Sequence, residues 1–270
     1  MRLVEAVGEI RLALAQIKEV TKDYIHNFYL DEKLLKVLVE KRKVYLVQKE
    51  SAGAILYKRN KYWQVYFFAI DKVSLQGVLL LLQKQNLNHL IIDLPNAPCE
   101  IKCALGTIGF YEYVRLLRYS RTNSSEEIFQ VPVGYYAVQS ELDQILALMQ
   151  CNLDKVSDRL PDRRELAELI EKHNVIVARA DDGEVASVIV HESRGNLLHW
   201  RYWVTAPSQR SSLIGMKLYM IYMKYMRNFQ RQVLFVHKGN PVAKIHEKAG
   251  FKFDGFEDVV YVWDKEDTQQ

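Results

Sequence analysis

The feature that most constrains this chain is one order of elements that occurs twice. In the second half, the β-branched run Val175-Ile176-Val177-Ala178 passes through the polar turn Asp181-Asp182-Gly183 into Val185-Ala186-Ser187-Val188-Ile189-Val190, which reads as a hairpin of buried strands. In the first half, Val44-Tyr45-Leu46-Val47 passes through Lys49-Glu50-Ser51 into Gly53-Ala54-Ile55-Leu56-Tyr57, and Val44 and Val175 are 131 residues apart. An aromatic strand follows each hairpin, Trp63-Gln64-Val65-Tyr66-Phe67-Phe68 and His199-Trp200-Arg201-Tyr202-Trp203-Val204. A loop, a glycine and a helix come next. Each half closes on a Gly-Phe pair that opens a strand, Gly109-Phe110 and Gly250-Phe251, 141 residues apart, so the second copy is ten residues longer between these points.

A repeat of this size implies an α/β chain, with α+β mixed sheets, built as two tandem domains. The length of 270 residues agrees, at about 150 residues per domain. The expected limits are residues 1–122 and 133–270, with the polar stretch Tyr119-Ser120-Arg121-Thr122-Asn123-Ser124-Ser125-Glu126-Glu127 as the start of the connection. Composition matters here only because two cores need apolar material. At 49% hydrophobic and 26% charged, the chain has enough, and it is not disordered, collagen-like or coiled-coil.

Several function classes fall away. The apolar run Val78-Leu79-Leu80-Leu81-Leu82 is far short of the ~20 residues a spanning helix needs, so no membrane role is expected. Glu5 and Glu9 interrupt the N-terminus where an export signal would carry its apolar core, so a cytoplasmic location is expected. Three cysteines, Cys99, Cys103 and Cys151, do not make a disulfide framework or a metal site, and Cys99 and Cys103 are read as reduced packing residues on one helical face. His237 and His246 lack the spacing and the third ligand of a zinc site. Net charge is +4, with 19 basic and 14 acidic residues up to residue 130 and 18 and 19 after it. Neither half carries the dense basic surface of a nucleic-acid binder.

The two copies differ most at one loop. Between Val204 and Gly215 stands Thr205-Ala206-Pro207-Ser208-Gln209-Arg210-Ser211-Ser212-Leu213-Ile214, longer and richer in hydroxyls than Ala69-Ile70-Asp71-Lys72-Val73-Ser74-Leu75-Gln76 before Gly77. A helix starting near Ser212 and reaching Met226 would present unpaired backbone N–H groups and partial positive charge to an anion. Ser211, Ser212 and Arg210 can bind that anion, and Gly215 removes a side chain from its path. Along this helix, Leu213, Met216, Met220, Met223 and Met226 fall at helical spacing and are expected in the core.

These residues carry a resemblance. Arg210-Ser211-Ser212-Leu213-Ile214-Gly215 is similar to the R/Q-x-x-G-x-G/A loop of the GNAT N-acyltransferase superfamily, with Leu213 at the middle glycine. Asn240-Pro241-Val242-Ala243-Lys244-Ile245-His246-Glu247-Lys248-Ala249-Gly250-Phe251 resembles that family's N-x-x-A segment and Y-E-K-x-G-F helix end, with His246 in place of tyrosine and one residue fewer. The resemblance spans residues 134 to 264, and the first half shares only the element order and Ile108-Gly109-Phe110, as a degenerate copy.

The resemblance implies an acyl-CoA, such as acetyl-CoA, as cosubstrate, no metal, and direct attack by a small-molecule or peptide amine. It implies that Trp203, Val204 and Thr205 contact the pantetheine arm, that Gln209, Arg210, Ser211, Ser212, Leu213, Ile214, Gly215 and Met216 cradle the pyrophosphate, and that Asn240 and Ala243 lie near the far end of the arm. His246 is the candidate acid for the leaving thiolate, because a histidine can titrate near neutrality. His199, on the aromatic strand, and Glu192 or His191, at the end of the strand before it, are the candidate bases. A non-catalytic acyl-CoA-binding or scaffold module of the same fold is the alternative.

Overall fold

A computed structural model describes residues 1–28, 32–59, 62–85, 87–123 and 128–265. The chain divides into two compact units, one of residues 1–116 and 257–270, the other of residues 117–256. The boundaries at 116 and 256 fall inside two long strands.

The first unit runs β1 (Arg2–Leu3), α1 (Val7–Val20), β2 (Ile25–His26), α2 (Glu32–Glu40), β3 (Val44–Lys49), β4 (Ala52–Lys58), β5 (Trp63–Ala69), α3 (Lys72–Gln83), β6 (His89–Pro95), α4 (Cys99–Gly106) and the start of β7 (Tyr111–Thr122). The hairpin β3–β4 pairs antiparallel in register from Val44 with Tyr57 to Lys49 with Ala52, as expected from the sequence. α1 and α2 bury Ile10, Ala13, Ile17, Leu35, Leu38 and Val39 on one face of the sheet. α3 and α4 bury Leu75, Val78, Leu79, Leu82, Ile101 and Leu105 on the other.

The second unit repeats this plan with α5 (Leu142–Asn152), α6 (Arg163–Glu171), β8 (Val175–Arg179), β9 (Val185–Arg194), β10 (Leu197–Thr205), α7 (Ile214–Tyr225), β11 (Arg231–His237), α8 (Val242–Lys248) and the start of β12 (Lys252–Asp264). α5 and α6 cover one sheet face through Leu142, Ile145, Met149, Leu166, Leu169 and Ile170. α7 covers the other through Leu218, Tyr219 and Tyr222.

The last strands are exchanged between the repeats. β12 pairs with β6, from Asp258 with Pro95 to Asp264 with His89, and β7 lies beside β11. Tyr119–Thr122, expected to begin the connection, is therefore the end of a strand. Asn123 continues from it and donates its backbone N–H to Gln230 O, and Ser124–Glu127 lie outside the described residues.

The Gly-Phe pairs have the same cause in both copies. Gly109 and Gly250 take φ of 84° and 89°, which glycine adopts without a Cβ penalty. The next residue then donates back across the helix end, Phe110 N–H to Leu105 O and Phe251 N–H to His246 O, both at 3.1 Å. Each phenylalanine is thereby delivered into its core, at 3% and 1% exposure.

Two packing expectations are overturned. The buried face of α7 is Gly215, Leu218, Tyr219 and Tyr222, and the helix spans Ile214–Tyr225. Leu213, Met216 and Met220 face solvent, Met223 is partly buried, and only Met226 of that stripe reaches the core, just past the helix end. The bulky tyrosines set the register, because they bury more apolar area than the unbranched methionines. Cys99 and Cys103 are exposed free thiols, so they are not packing residues, and Cys151 is likewise free and exposed. Cys99 and Cys103 do share a helical face, with their Sγ atoms 3.9 Å apart.

Candidate functional site

In the second unit the parallel pair β10–β11 is bonded only from Leu197–Arg231 to Trp200–Leu234. Beyond that point the strands part. The cause lies on the other edge of β10, where the β9 partner of Trp200 is His191 and that of Tyr202 is Val190, leaving Arg201 as an extra residue. The bulge is locked by Trp200 Nε1–H donating to Tyr202 O at 2.9 Å. It also reverses the strand's faces. Leu198, Trp200 and Trp203 pack with α7, whereas Tyr202 and Val204 pack with α5 and α6.

The parted strands enclose a cavity of about 370 Å³. Its walls come from Trp200, Arg201, Tyr202 and Trp203 of β10 and from Leu234 to His237 of β11. Asn152, Asp154 and Asp158 close one side, and Asn240 and His246 another. Two buried polar atoms on these lining residues, Trp203 Nε1 and His246 Nδ1, have no hydrogen-bond partner among the described residues. A buried polar atom without a partner is costly, and neither atom is exposed at the cavity surface.

At the outer end of β10, Pro207–Ser212 forms a 3-10 turn and Leu213 sits at φ 58° before α7. This is the left-handed region that favours glycine, and Leu213 stands at the position where the resemblance places a glycine. α7 has no side-chain cap, so the first N–H groups of a twelve-residue helix are open to an anion. Arg210 reaches across to Asn152 Oδ1 at 3.2 Å, and the Ser212 hydroxyl donates to Gln209 O. Gly215 does not clear a path for the anion. A Cβ there would overlap Thr205 Oγ1, so the glycine admits the β10 side chain rather than a ligand.

Of the candidate acid and bases, the structure brings only His246 to the cavity. Burial among Trp200, Trp203, Tyr219 and Phe251 lowers its pKa to about 4, so the ring is neutral at pH 7 and does not hold a proton for a leaving group there. His199 lies off the cavity beside Phe235, and burial, aided by Arg201, lowers it to about 4 as well. Glu192 is held by Arg201 Nη1 at 2.5 Å, in an ion pair that Glu165 shares at 2.7 Å. His191 is fully buried against Tyr222 and Tyr225, again near pKa 4 from burial. Asn240 lines the cavity and accepts from Val242 N–H, while Ala243 packs into the α7 core.

The first unit shows the same gap filled. β5 and β6 pair only at Trp63–Leu90 and Gln64–Ile91. Asn27, 2% exposed, then spans the space: its amide donates to Val65 O at 3.2 Å and Asp93 O at 3.0 Å, and its Oδ1 accepts from Phe67 N–H at 2.6 Å. α3 is capped by its own Asp71, which accepts from Ser74 N–H at 2.7 Å. One copy thus presents an open gap and an uncapped helix, and the other has filled both.

No family model and no curated protein matches the sequence. Solved structures do match. A GCN5-related N-acetyltransferase from Sphaerobacter thermophilus superposes with a TM-score of 0.60 at 12% identity, over 98% of this chain and 95% of that one. A GNAT-family acetyltransferase from Colwellia psychrerythraea gives 0.53 at 15%, over 97% and 98%. A tandem GNAT protein from the clavulanic acid biosynthesis pathway gives 0.52 at 10%, over 83% and 84%. The chain has the GNAT fold. At these identities the likeness shows the fold alone.

Within the GNAT fold of the second unit, one lining residue escaped the sequence reading as an acid or base. His237, at the end of β11, places Nε2 3.3 Å from Asp158 Oδ1 and 3.3 Å from Ser157 Oγ. Asp154 and Asp158 belong to the turn after α5, which binds itself through Val156 N–H and Ser157 N–H to Asp154 Oδ1 and Asp154 N–H to Asp158 Oδ2. The sequence signal was a histidine closing a strand and the Asp154-x-x-Ser157-Asp158 turn, 80 residues apart and linked only by the fold.

Proposed function

We propose that the chain is an acyl-CoA-dependent N-acyltransferase, acting in the cytoplasm with acetyl-CoA as donor and a small-molecule or peptide amine as acceptor. The observation that carries this reading is the pair of features in the second unit, the open gap between β10 and β11 and the uncapped start of α7 that follows β10, against a sister copy in which Asn27 and Asp71 occupy the equivalent places. Residues 133–270 carry the site in this reading, and residues 1–122 are a degenerate copy.

The pyrophosphate would lie over the N–H groups of Ile214, Gly215 and Met216, with Arg210, Ser211 and Ser212 around it and Gln209 and Leu213 shaping the turn. A helix N-terminus favours such an anion by about 0.3–1 kcal/mol per contact at the surface. The pantetheine arm would run beside Trp203, Val204 and Thr205, where β10 no longer pairs with β11. Asn240, Trp203 and His246, which line the cavity, would flank the thioester end. The amine nitrogen attacks the thioester carbonyl carbon, the C–S bond breaks, and the nitrogen's proton passes to the thiolate. Neutral His246 takes part as a hydrogen-bond donor or acceptor.

The test is release of free coenzyme A thiol from acetyl-CoA with four amines: a polyamine, an arylalkylamine, an aminoglycoside and a tripeptide. Acetylation of at least one, confirmed by mass, is expected. Tight acetyl-CoA binding with no transfer to any would overturn the enzymatic reading in favour of a binding module, and no binding would overturn both.

A further inference from the structure

We propose that His237 is the base that takes the proton from the acceptor amine, held for that task by Asp158. This rests on the acyl-transfer reading and names a group that none of the sequence candidates included. The acceptors beside Nε2 favour one tautomer. Ser157 Oγ–H donates to Asp154 Oδ1 at 2.9 Å, so its proton is used and the oxygen can only accept. Asp158 Oδ1 is also an acceptor, and both face His237 Nε2. Nε2 therefore carries the hydrogen, and Nδ1 carries the lone pair. Such an acid–imidazole pair orients the ring and stabilises the imidazolium that forms.

The charged and titratable groups around His237 favour this role. Asp158 and Asp154 face it from the turn after α5, and across the cavity stand Arg201 of β10, tied to Glu165 and Glu192, and neutral His246 of α8. The hydrogen bond that His237 donates to Asp158 raises the His237 pKa above 6.5, burial works against it, and the charges of Asp158 and Asp154 add to the rise. Burial pushes His191, His199 and His246 down to about 4, away from the range a base at pH 7 needs.

The steps balance. An ammonium R–NH3⁺ gives one proton to His237 Nδ1, leaving R–NH2 and an imidazolium paired with Asp158. The nitrogen lone pair forms the C–N bond, the C–S pair leaves with sulfur, and a second nitrogen proton passes to the thiolate. The imidazolium returns its proton to solvent.

The experiment compares wild type, His237→Gln and Asp158→Asn in three readouts: acetyl-CoA affinity, the pH profile of kcat/KM with whichever of the four amines is acetylated, and 15N shifts of the His237 ring. Unchanged acetyl-CoA affinity is expected in both variants. His237→Gln should lower kcat/KM by about 10²- to 10⁴-fold. In wild type, activity should fall as pH drops through a value above 6.5, and Asp158→Asn should move that limb to lower pH. The ring of wild type should show protonated Nε2 and bare Nδ1, a readout that does not depend on any variant folding. Protonated Nδ1 with bare Nε2, or variants within about threefold of wild type with an unmoved limb, would overturn the assignment while leaving acyl transfer standing. Loss of acetyl-CoA binding by wild type would instead overturn the acyl-transfer reading itself.

Discussion

At the scale of residues, two neighbours before and inside α7 behave in opposite ways. Leu213 holds a left-handed backbone with its side chain 66% exposed, so it has little burial to lose. Leu213→Gly should relieve about 1 kcal/mol of backbone strain and, after the entropy glycine adds to the unfolded chain, leave stability within about 1 kcal/mol of wild type in urea denaturation. A loss beyond about 2 kcal/mol would mean the side chain is doing packing that its exposure denies. Gly215→Ala should cost about 1–3 kcal/mol by overpacking against Thr205, which Ser187 Oγ holds at 3.0 Å. Thr205→Ala in the same chain should recover part of that loss, and strictly additive losses would contradict the contact. The sequence made both positions visible, because Arg210 and Gly215 frame the loop. The reason Gly215 is glycine was not visible, since Thr205 meets it only after β10 has folded back along α7.

At the scale of elements, hairpins, aromatic strands and the Gly-Phe helix ends were legible because each is set by local pattern. The bulge at Arg201, the parting of β10 from β11, and the tyrosine face of α7 were not, because each depends on a partner strand. Asn27 shows how much one such contact can decide. It satisfies a backbone donor and two backbone acceptors where β5 leaves β6. Asn27→Ala would remove these three hydrogen bonds, and should destabilise the first unit by about 1–3 kcal/mol per group left uncompensated. Protease resistance of fragments from residues 1–116 is the readout. No change there would show that water replaces the amide freely and that the gap was not held shut by this side chain.

At the scale of the whole molecule, repetition was readable from the two offsets, but the exchange of β7 and β12 was not, since both strands follow identical Gly-Phe signals. The described residues contain no helix long and apolar enough to cross a membrane and no cluster of His, Cys, Asp and Glu able to hold a metal.

The histidines give the second unit a definite pH response. His191, His199 and His246 sit near pKa 4, below the 6.5 of an unfolded histidine. As pH falls from 6.5 toward 4, the unfolded chain gains protons that the folded chain refuses, so stability falls by a few kcal/mol in total. His237 acts in the opposite sense, because its raised pKa stabilises the fold below 6.5 and that contribution fades as pH rises through the folded value. Three groups outweigh one, so the melting temperature should drop steadily from pH 6.5 to 4, and a flat profile would contradict the buried, neutral rings.

The most direct measurement is isothermal titration of the full chain with acetyl-CoA. One equivalent should bind per chain, and Arg210→Glu should weaken it at least about tenfold by opposing the pyrophosphate charge. Two equivalents, or one that Arg210→Glu leaves untouched, would contradict a single acyl-CoA site at the start of α7.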